Sequence, residues 1–404
     1  MNTIKLKKIN LLKVLMLNIV LFSILSYEIH IYNKMYSIFN MLTLISSFIL
    51  ILLATTSKKN KIREFIYSIK INMTTVFLIL LLTINTMMSS LTVGYLTFSS
   101  LVGVISVIGS ILALYIFIPH IANEYIESIV KLIIGLITFC SIIGIIIGVK
   151  NSFFIYSLDG MRSASIFFDS NYFASLAAIA FFLSVKDKTN IGYLAGFINF
   201  LAIYFTGSRT AILGIILVLF FSSLYYKKVS LKKIVLLIFV ISASYFGIEY
   251  LYELGYFRIS QGLTGRESLW SVSIDYILRE PIWGYGYGQV RRVLQEGGIF
   301  TASSSHNYFL DYALMFGIPA LLVNLLVIGI GVFRGLRNNT PPYIMHVVIF
   351  LLLSMNSIVI SLGGVGATSL IFTLFLGISN NNKFFNKKLK EGGKYYDEHF
   401  IQSE

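Results

Sequence analysis

The chain has a single cysteine, and it lies inside an apolar stretch, so Cys140 can form no disulfide within one chain and no cysteine-based metal site. Charge is scarce as well. Only 12% of the 404 residues are Asp, Glu, Lys or Arg, against 56% hydrophobic, which excludes a soluble globular chain. There is no GxxxxGK[ST] phosphate loop, no D-x-D or H-E-x-x-H pattern, no internal repeat and no low-complexity tract. The acids outside the apolar runs stand singly on the side that matters below: Asp159, Asp169, Glu253, Glu267, Asp275, Glu280 and Glu296. No catalytic metal and no cofactor are therefore expected.

What fills the chain is sequence suited to lipid. A bilayer core takes about 20 apolar residues per helix, and such runs recur from end to end. They predict an all-α polytopic membrane protein with about twelve transmembrane helices and one large extracytoplasmic loop containing short helices. The expected spans are 11–30, 36–55, 72–91, 96–118, 129–149, 171–185, 191–206, 209–226, 231–250, 307–333, 343–361 and 363–379. The first is read as a retained helix, because it is too long for a signal-peptide core and lacks a small-x-small cleavage site. Three segments follow: N-terminal helices over 1–150, a core over 151–379 with its outer loop at 250–306, and a polar cytoplasmic tail over 380–404.

The net charge of +14 suggests nucleic acid or an acidic surface until its distribution is examined. With the N-terminus cytoplasmic, 23 Lys and Arg fall inside and 9 outside, so the excess is topogenic and no nucleic-acid partner is expected. The two residue types then separate. Of 22 lysines 20 lie inside, whereas 7 of 10 arginines lie outside: Arg162, Arg209, Arg258, Arg266, Arg279, Arg291 and Arg292. Topology has no preference for arginine. A guanidinium fork grips phosphate oxygens in a bidentate way that an ammonium cannot. Arg162 and Arg209 sit in short outer loops, where snorkelling to the surface is the ordinary explanation. Outside a bacterial membrane no ATP or sugar nucleotide is at hand, so chemistry there needs a pre-activated donor. Lipid-linked pyrophosphate sugars are the obvious class.

The polar interruption from Glu249 to Ser305 carries five arginines and both tryptophans. Within Gly265-Arg266-Glu267-Ser268-Leu269-Trp270, Arg266 and Trp270 are four apart and share a helix face. The glycines of Pro281-Ile282-Trp283-Gly284-Tyr285-Gly286-Tyr287-Gly288 lack the strand-helix-strand context of a dinucleotide site and are expected to permit tight turns and packing. His306 follows three serines, each a good cap, and is expected in the first turn of a long apolar helix, where the dipole disfavours its charged form. A neutral imidazole is a competent general base near neutral pH. Asp311 is five residues on and points elsewhere on a regular helix, so a simple His–Asp dyad is not expected.

Five motifs in order resemble the O-antigen ligase and polymerase superfamily of bacterial membrane glycosyltransferases, which includes the Wzy-type repeat-unit polymerases. They are Arg162 through Phe167-Phe168 to Asn171, Gly207-Ser208-Arg209-Thr210, Gly265 to Trp270, Pro281 to Gly286, and His306-Asn307 to Leu310 with Gly317-Ile318-Pro319 after it. Ser170 stands where many members have proline. The resemblance implies metal-independent, inverting transfer from an undecaprenyl-pyrophosphate-linked glycan to a lipid-linked acceptor at the outer face of the cytoplasmic membrane. It implies that Arg209 and Arg266 hold the pyrophosphate, with Arg162 a third contact, and that His306 takes the acceptor's proton. Asn171, Trp270 and Asn307 are expected to bind substrate. The favoured activity is polymerisation of repeat units into O-antigen or capsular polysaccharide, with a chain-length regulator as a candidate partner. The alternatives are a ligase transferring polymer to lipid A core or another acceptor, and a flippase of lipid-linked oligosaccharide. A transporter should carry charges near the midplane of its spans, and these spans are nearly free of them.

Overall fold

The structure, a computed structural model, describes residues 45, 49, 73–94, 98–117, 119, 126–154, 163–167, 169–187, 189–225, 266–300, 302–337, 340–364 and 366–380. Its regular elements are helices: α1 (Met73–Thr92), α2 (Phe98–Ser110, continuing as the π-helical Ile111–Phe117), α3 (Ile126–Phe154), α4 (Ser170–Ser184), α5 (Asn190–Thr206), α6 (Arg209–Tyr225), α7 (Arg266–Arg279), α8 (Val290–Glu296), α9 (Tyr308–Arg337), α10 (Pro342–Ser354) and α11 (Ala367–Asn380). Nine of the expected spans fall largely among the described residues, and each overlaps a helix, though not always over its full length. The spans 11–30, 36–55 (save Ile45 and Ile49) and 231–250, with Arg162, Arg258, Gly265 and the tail beyond Asn380, lie outside the described residues. Two helices, Ile126–Lys150 and Tyr308–Arg337, are long and apolar enough to cross a membrane, and the other apolar helices are shorter.

The bundle is built around α4. Its alanines (Ala174, Ala177, Ala178, Ala180) present so little bulk that α3, α5 and α10 close on it, and its residues from Phe173 to Ala180 are all buried. Small residues at helix interfaces serve this purpose in lipid, where apolar burial alone does not drive helices together. Polar bonds add to the packing. Asn199 on α5 donates to Thr138 Oγ1 and accepts from Ser141 Oγ on α3, each at 2.8 Å.

The apolar run of α9 is not one straight helix. Gly317 has φ 77° and ψ 167°, a conformation essentially reserved for glycine. Along a straight helix Tyr308 and Asn324 would stand about 24 Å apart, yet the Tyr308 hydroxyl donates to Asn324 Oδ1 at 2.9 Å. The arm from Tyr308 to Phe316 therefore folds back along the arm from Ile318 to Arg337, and the single span expected over 307–333 is replaced by a short arm and a long one.

A break in a membrane helix exposes backbone groups that need partners, and the Pro281–Gly288 loop supplies most of them. Tyr285 N–H donates to Leu314 O at 2.7 Å, Gly286 N–H to Met315 O at 3.0 Å, and Ile318 N–H to Pro281 O at 2.8 Å. Asn85 on α1 donates to Phe316 O. The loop fits only because Gly284 and Gly317 have no side chain. A Cβ on Gly284 would lie 2.7 Å from Leu314 O, and one on Gly317 would strike Ile282 O. The glycines thus do the packing work expected of them.

The helix pair α10–α11 differs from expectation in the same way. α10 ends at Ser354 and α11 begins at Ala367, leaving non-helical backbone where the spans 343–361 and 363–379 had been drawn. Side chains again satisfy it: Tyr172 accepts from Val359 N–H, Ser369 from Ser361 N–H and Thr373 from Gly363 N–H.

Helix lengths give the depth of each element. Gly335, Met345 and Ser379 meet, and His346 bonds Ser222, so these residues mark a common level at one end of the bundle. Counting from there, and on α4 from Phe182 packed against His346, at 1.5 Å per residue, Gly317 stands about 27 Å away, Arg209 and Asp169 about 20 Å, and Met355 about 15 Å. Tyr308 N–H donates to Met355 O at 3.0 Å. The start of α9 is therefore recessed by roughly 10 Å below the bend that ends its long arm.

Candidate active site

Three helix ends contribute to the surroundings of His306. The first is the α4 N-terminus. Asp169 Oδ1 caps it, accepting from Asn171 N–H at 2.6 Å and Tyr172 N–H at 3.3 Å. The preceding residues 163–167 are bolted to the bundle: Ser163 Oγ donates to Gly144 O at 2.7 Å, Ser165 Oγ to Cys140 O at 2.6 Å, and Ser163 N–H to Phe205 O at 2.9 Å. That last bond ties the Asp169 loop to the turn between α5 and α6, where Gly207 (φ 63°) ends α5 and Arg209 opens α6. Arg209 thus stands at the same end of the bundle as Asp169, at a helix N-terminus that itself favours anions.

The second end is α7, which starts at Arg266. One turn on, the Trp270 indole N–H donates to Ser305 O at 3.1 Å, docking α7 against the segment that carries His306. The shared face of Arg266 and Trp270 expected from their spacing is therefore turned toward the imidazole. The indole N–H thus serves the protein, and the ring packs against the apolar cluster that includes Leu269, Leu294 and Leu314.

The third end is the start of α9. Its cap is Asn307 rather than a serine: Oδ1 accepts from Phe309 N–H at 2.9 Å and Leu310 N–H at 3.4 Å. His306 accordingly sits just before the cap, not within the first turn. Its φ of 53° is left-handed, a conformation costing a non-glycine residue about 1–3 kcal/mol. The surroundings impose it. His306 N–H donates to Ser304 Oγ, and buried Ser305 is held by Trp270 at its carbonyl and by Asp311 Oδ1 at its N–H, 2.9 Å away. Asp311 thus serves the backbone beside the histidine and makes no dyad with it. The other left-handed non-glycine residue among those described is Ser165, in the loop leading to Asp169. Ser165 is held there against α3 by its bond to Cys140 O.

Half-buried His306 is within electrostatic reach of Arg266 and Asp169. Burial pushes its imidazole below the ordinary value, the Arg266 guanidinium pushes the same way, and the Asp169 carboxylate opposes them. The surroundings of His306 thus disfavour its charged form, with the Arg266 guanidinium among them. Among the described residues no three His, Cys, Asp or Glu side chains converge as metal ligands.

The arginines of the outer loop divide. Arg279 pairs with Asp275 at 2.6 Å and lies over the Tyr276 ring, and Arg292 pairs with Glu296 at 3.0 Å, all on exposed helix faces. Arg266 alone among the described loop arginines acts on His306. Asp169, which caps α4, stood in the sequence only as one of several scattered acids. Its position just before the Ser170-Asn171 helix start was the available signal.

Residues 194–325 match the O-antigen ligase family. The matched stretch contains four of the five motifs, from Gly207 through Pro319, so the resemblance to the O-antigen ligase and polymerase superfamily holds where the motifs are densest. The match supports an enzyme of ligase or polymerase type acting in a membrane on lipid-linked glycan. No curated protein matches the chain.

Proposed function

We propose that this protein is a metal-independent membrane glycosyltransferase that polymerises undecaprenyl-pyrophosphate-linked repeat units at the outer face of the cytoplasmic membrane. The observation that carries the reading is His306, held in a strained conformation beside Arg266 at the junction of α4, α7 and α9. In the reaction His306 accepts the proton of the acceptor sugar hydroxyl as that oxygen bonds to the anomeric carbon of the donor. The bond from that carbon to the pyrophosphate oxygen breaks with inversion, and the electron pair leaves with the lipid pyrophosphate. Arg266 and Arg209 hold that leaving anion, with Arg162 as a third contact. Their bidentate geometry suits phosphate oxygens in a partly desolvated recess. The proton passes from His306 to solvent or to the departing pyrophosphate. Asn171, Asn307 and the Trp270 ring line the sugar side. The recess suits a donor whose lipid tail stays in the leaflet while its first sugar reaches the imidazole.

The second reading is an O-antigen ligase, favoured by the description of the matching family. The polymer-length ladder of cells carrying only His306→Ala, with membrane abundance of the variant checked, separates the two. Single lipid-linked repeats without a ladder support polymerisation. Full-length lipid-linked polymer that never reaches its final acceptor supports ligation. An unchanged ladder removes His306 from the chemistry and reinstates the flippase.

A further inference from the structure

We infer that Asp311 is a positioning residue for His306, acting through the Ser305 peptide to hold the imidazole where the acceptor hydroxyl must meet it. The inference rests on the reading of His306 as the base. Asp311 is buried in the first turn of an apolar helix, where an ionisable group is costly. Its Oδ1 accepts from Ser305 N–H at 2.9 Å, six residues back, and so closes a loop of chain with His306 inside it. Within that loop Ser305 and Asn307 are tied to each other on either side of the histidine. Ser305 Oγ donates to Asn307 O at 3.0 Å and accepts from Asn307 N–H at 3.3 Å.

The loop has an anchored base. Asp311 N–H donates to Asn307 O at 3.0 Å, Tyr308 N–H to Met355 O at 3.0 Å, and the Tyr308 hydroxyl to Asn324 Oδ1 at 2.9 Å. The first turn of α9 is thereby fixed to the end of α10 and to the long arm beyond the bend, and Asp311 reaches back from it. From the other side Trp270 donates to Ser305 O. The Ser305 peptide is gripped at its N–H by α9 and at its carbonyl by α7, the helix that opens with Arg266.

The histidine needs such a grip. Its left-handed backbone carries strain that corresponds to roughly a 5- to 150-fold preference for ordinary conformations. Released at Ser305 N–H, the residue would relax and carry the imidazole away from the reacting hydroxyl. Misplacement of a catalytic group lowers kcat rather than substrate affinity. This role asks for an acceptor at the position of Oδ1, not for a charge.

Asp311→Asn keeps that acceptor without the charge, Asp311→Glu keeps the charge but displaces the acceptor by a methylene, and Asp311→Ala removes both. In transfer assays with purified full-length enzyme and lipid-linked donor and acceptor, normalised to folded protein, Asp311→Asn is expected within about threefold of wild type in kcat. Asp311→Glu and Asp311→Ala are expected to lose about tenfold or more, inside the range the strain sets. Their KM should change by less than about twofold. A residue of purely structural importance would lower the yield of folded protein and leave kcat per folded molecule in place. If Asp311→Ala gives no folded protein, the Asn and Glu variants decide.

Wild-type kcat in Asp311→Glu or Asp311→Ala, or a loss in Asp311→Asn as deep as in those two, overturns the inference while leaving the His306 reading intact. Full activity of His306→Ala in the same assay instead removes the reading on which it rests.

Discussion

Two half-buried histidines in this bundle invite comparison. His346 lies within α10, in regular helical backbone, bonded through Nε2 to Ser222 Oγ at 2.7 Å and packed 5.6 Å from the Phe182 ring. His306 lies where a helix begins, in left-handed backbone, with Arg266 and Asp169 acting on it from two other helices. Each has a polar neighbour, so burial and hydrogen bonding do not distinguish them. The difference is in what the fold does to hold them. His346 falls into place as α6, α4 and α10 pack. His306 is held against its backbone preference by Ser304, Ser305, Trp270 and Asp311. The imidazole proposed as the base is set apart by the structure invested in its position.

Paired substitutions sharpen that comparison. His306→Ala is expected to lower the transfer rate by about 10²- to 10⁴-fold, the usual contribution of a positioned acid–base group. His346→Ala should leave the rate within about twofold and lower stability by roughly 1 kcal/mol through a lost buried hydrogen bond, read by melting in detergent.

Two glycines of α9 make a parallel pair. Gly317→Ala forces a side chain onto Ile282 O at a glycine-only conformation and should cost several kcal/mol, on the scale of strain plus overpacking. It should be seen as lost membrane abundance. Gly329→Ala meets nothing within 4 Å and should be neutral or stabilising by up to about 1 kcal/mol.

Among the arginines, Arg266→Lys should reduce activity by about tenfold, because an ammonium keeps the charge but not the fork. Arg279→Ala removes only an exposed i,i+4 pair and should change stability by less than about 0.5 kcal/mol and activity not at all.

The pH dependence follows the same logic with a definite sign. A base must be unprotonated, so the rate falls as pH drops through the His306 value. Burial and Arg266 lower that value, so the acid limb should lie below the ordinary imidazole value of about 6.5.

Hydropathy made the helices legible, because apolar residues in lipid-length runs have few alternatives to helix. It did not reveal the bend in α9 or the non-helical stretch between α10 and α11. Both are as apolar as the helices they interrupt, and their irregularity lies in dihedrals and in distant partners: Asn85 and the Pro281–Gly288 loop for one, Tyr172, Ser369 and Thr373 for the other. Gly317-Ile318-Pro319 was noted as part of the last motif, yet nothing in the sequence showed that the chain doubles back there. The candidate site was half legible. His306 and Arg266 announced themselves by residue type and motif. Asp169 did not, because its relation to His306 exists only once α4 and α9 are brought together. The choice of Asn307 over a serine as cap depended on a backbone conformation that no spacing encodes.

The most direct test is a side-by-side transfer assay of purified wild type, His306→Ala and His346→Ala, with equal amounts of folded protein and a lipid-linked donor and acceptor. Loss of glycan transfer in His306→Ala alone, with His346→Ala close to wild type, is the predicted result. Transfer by His306→Ala at the wild-type rate would contradict the account.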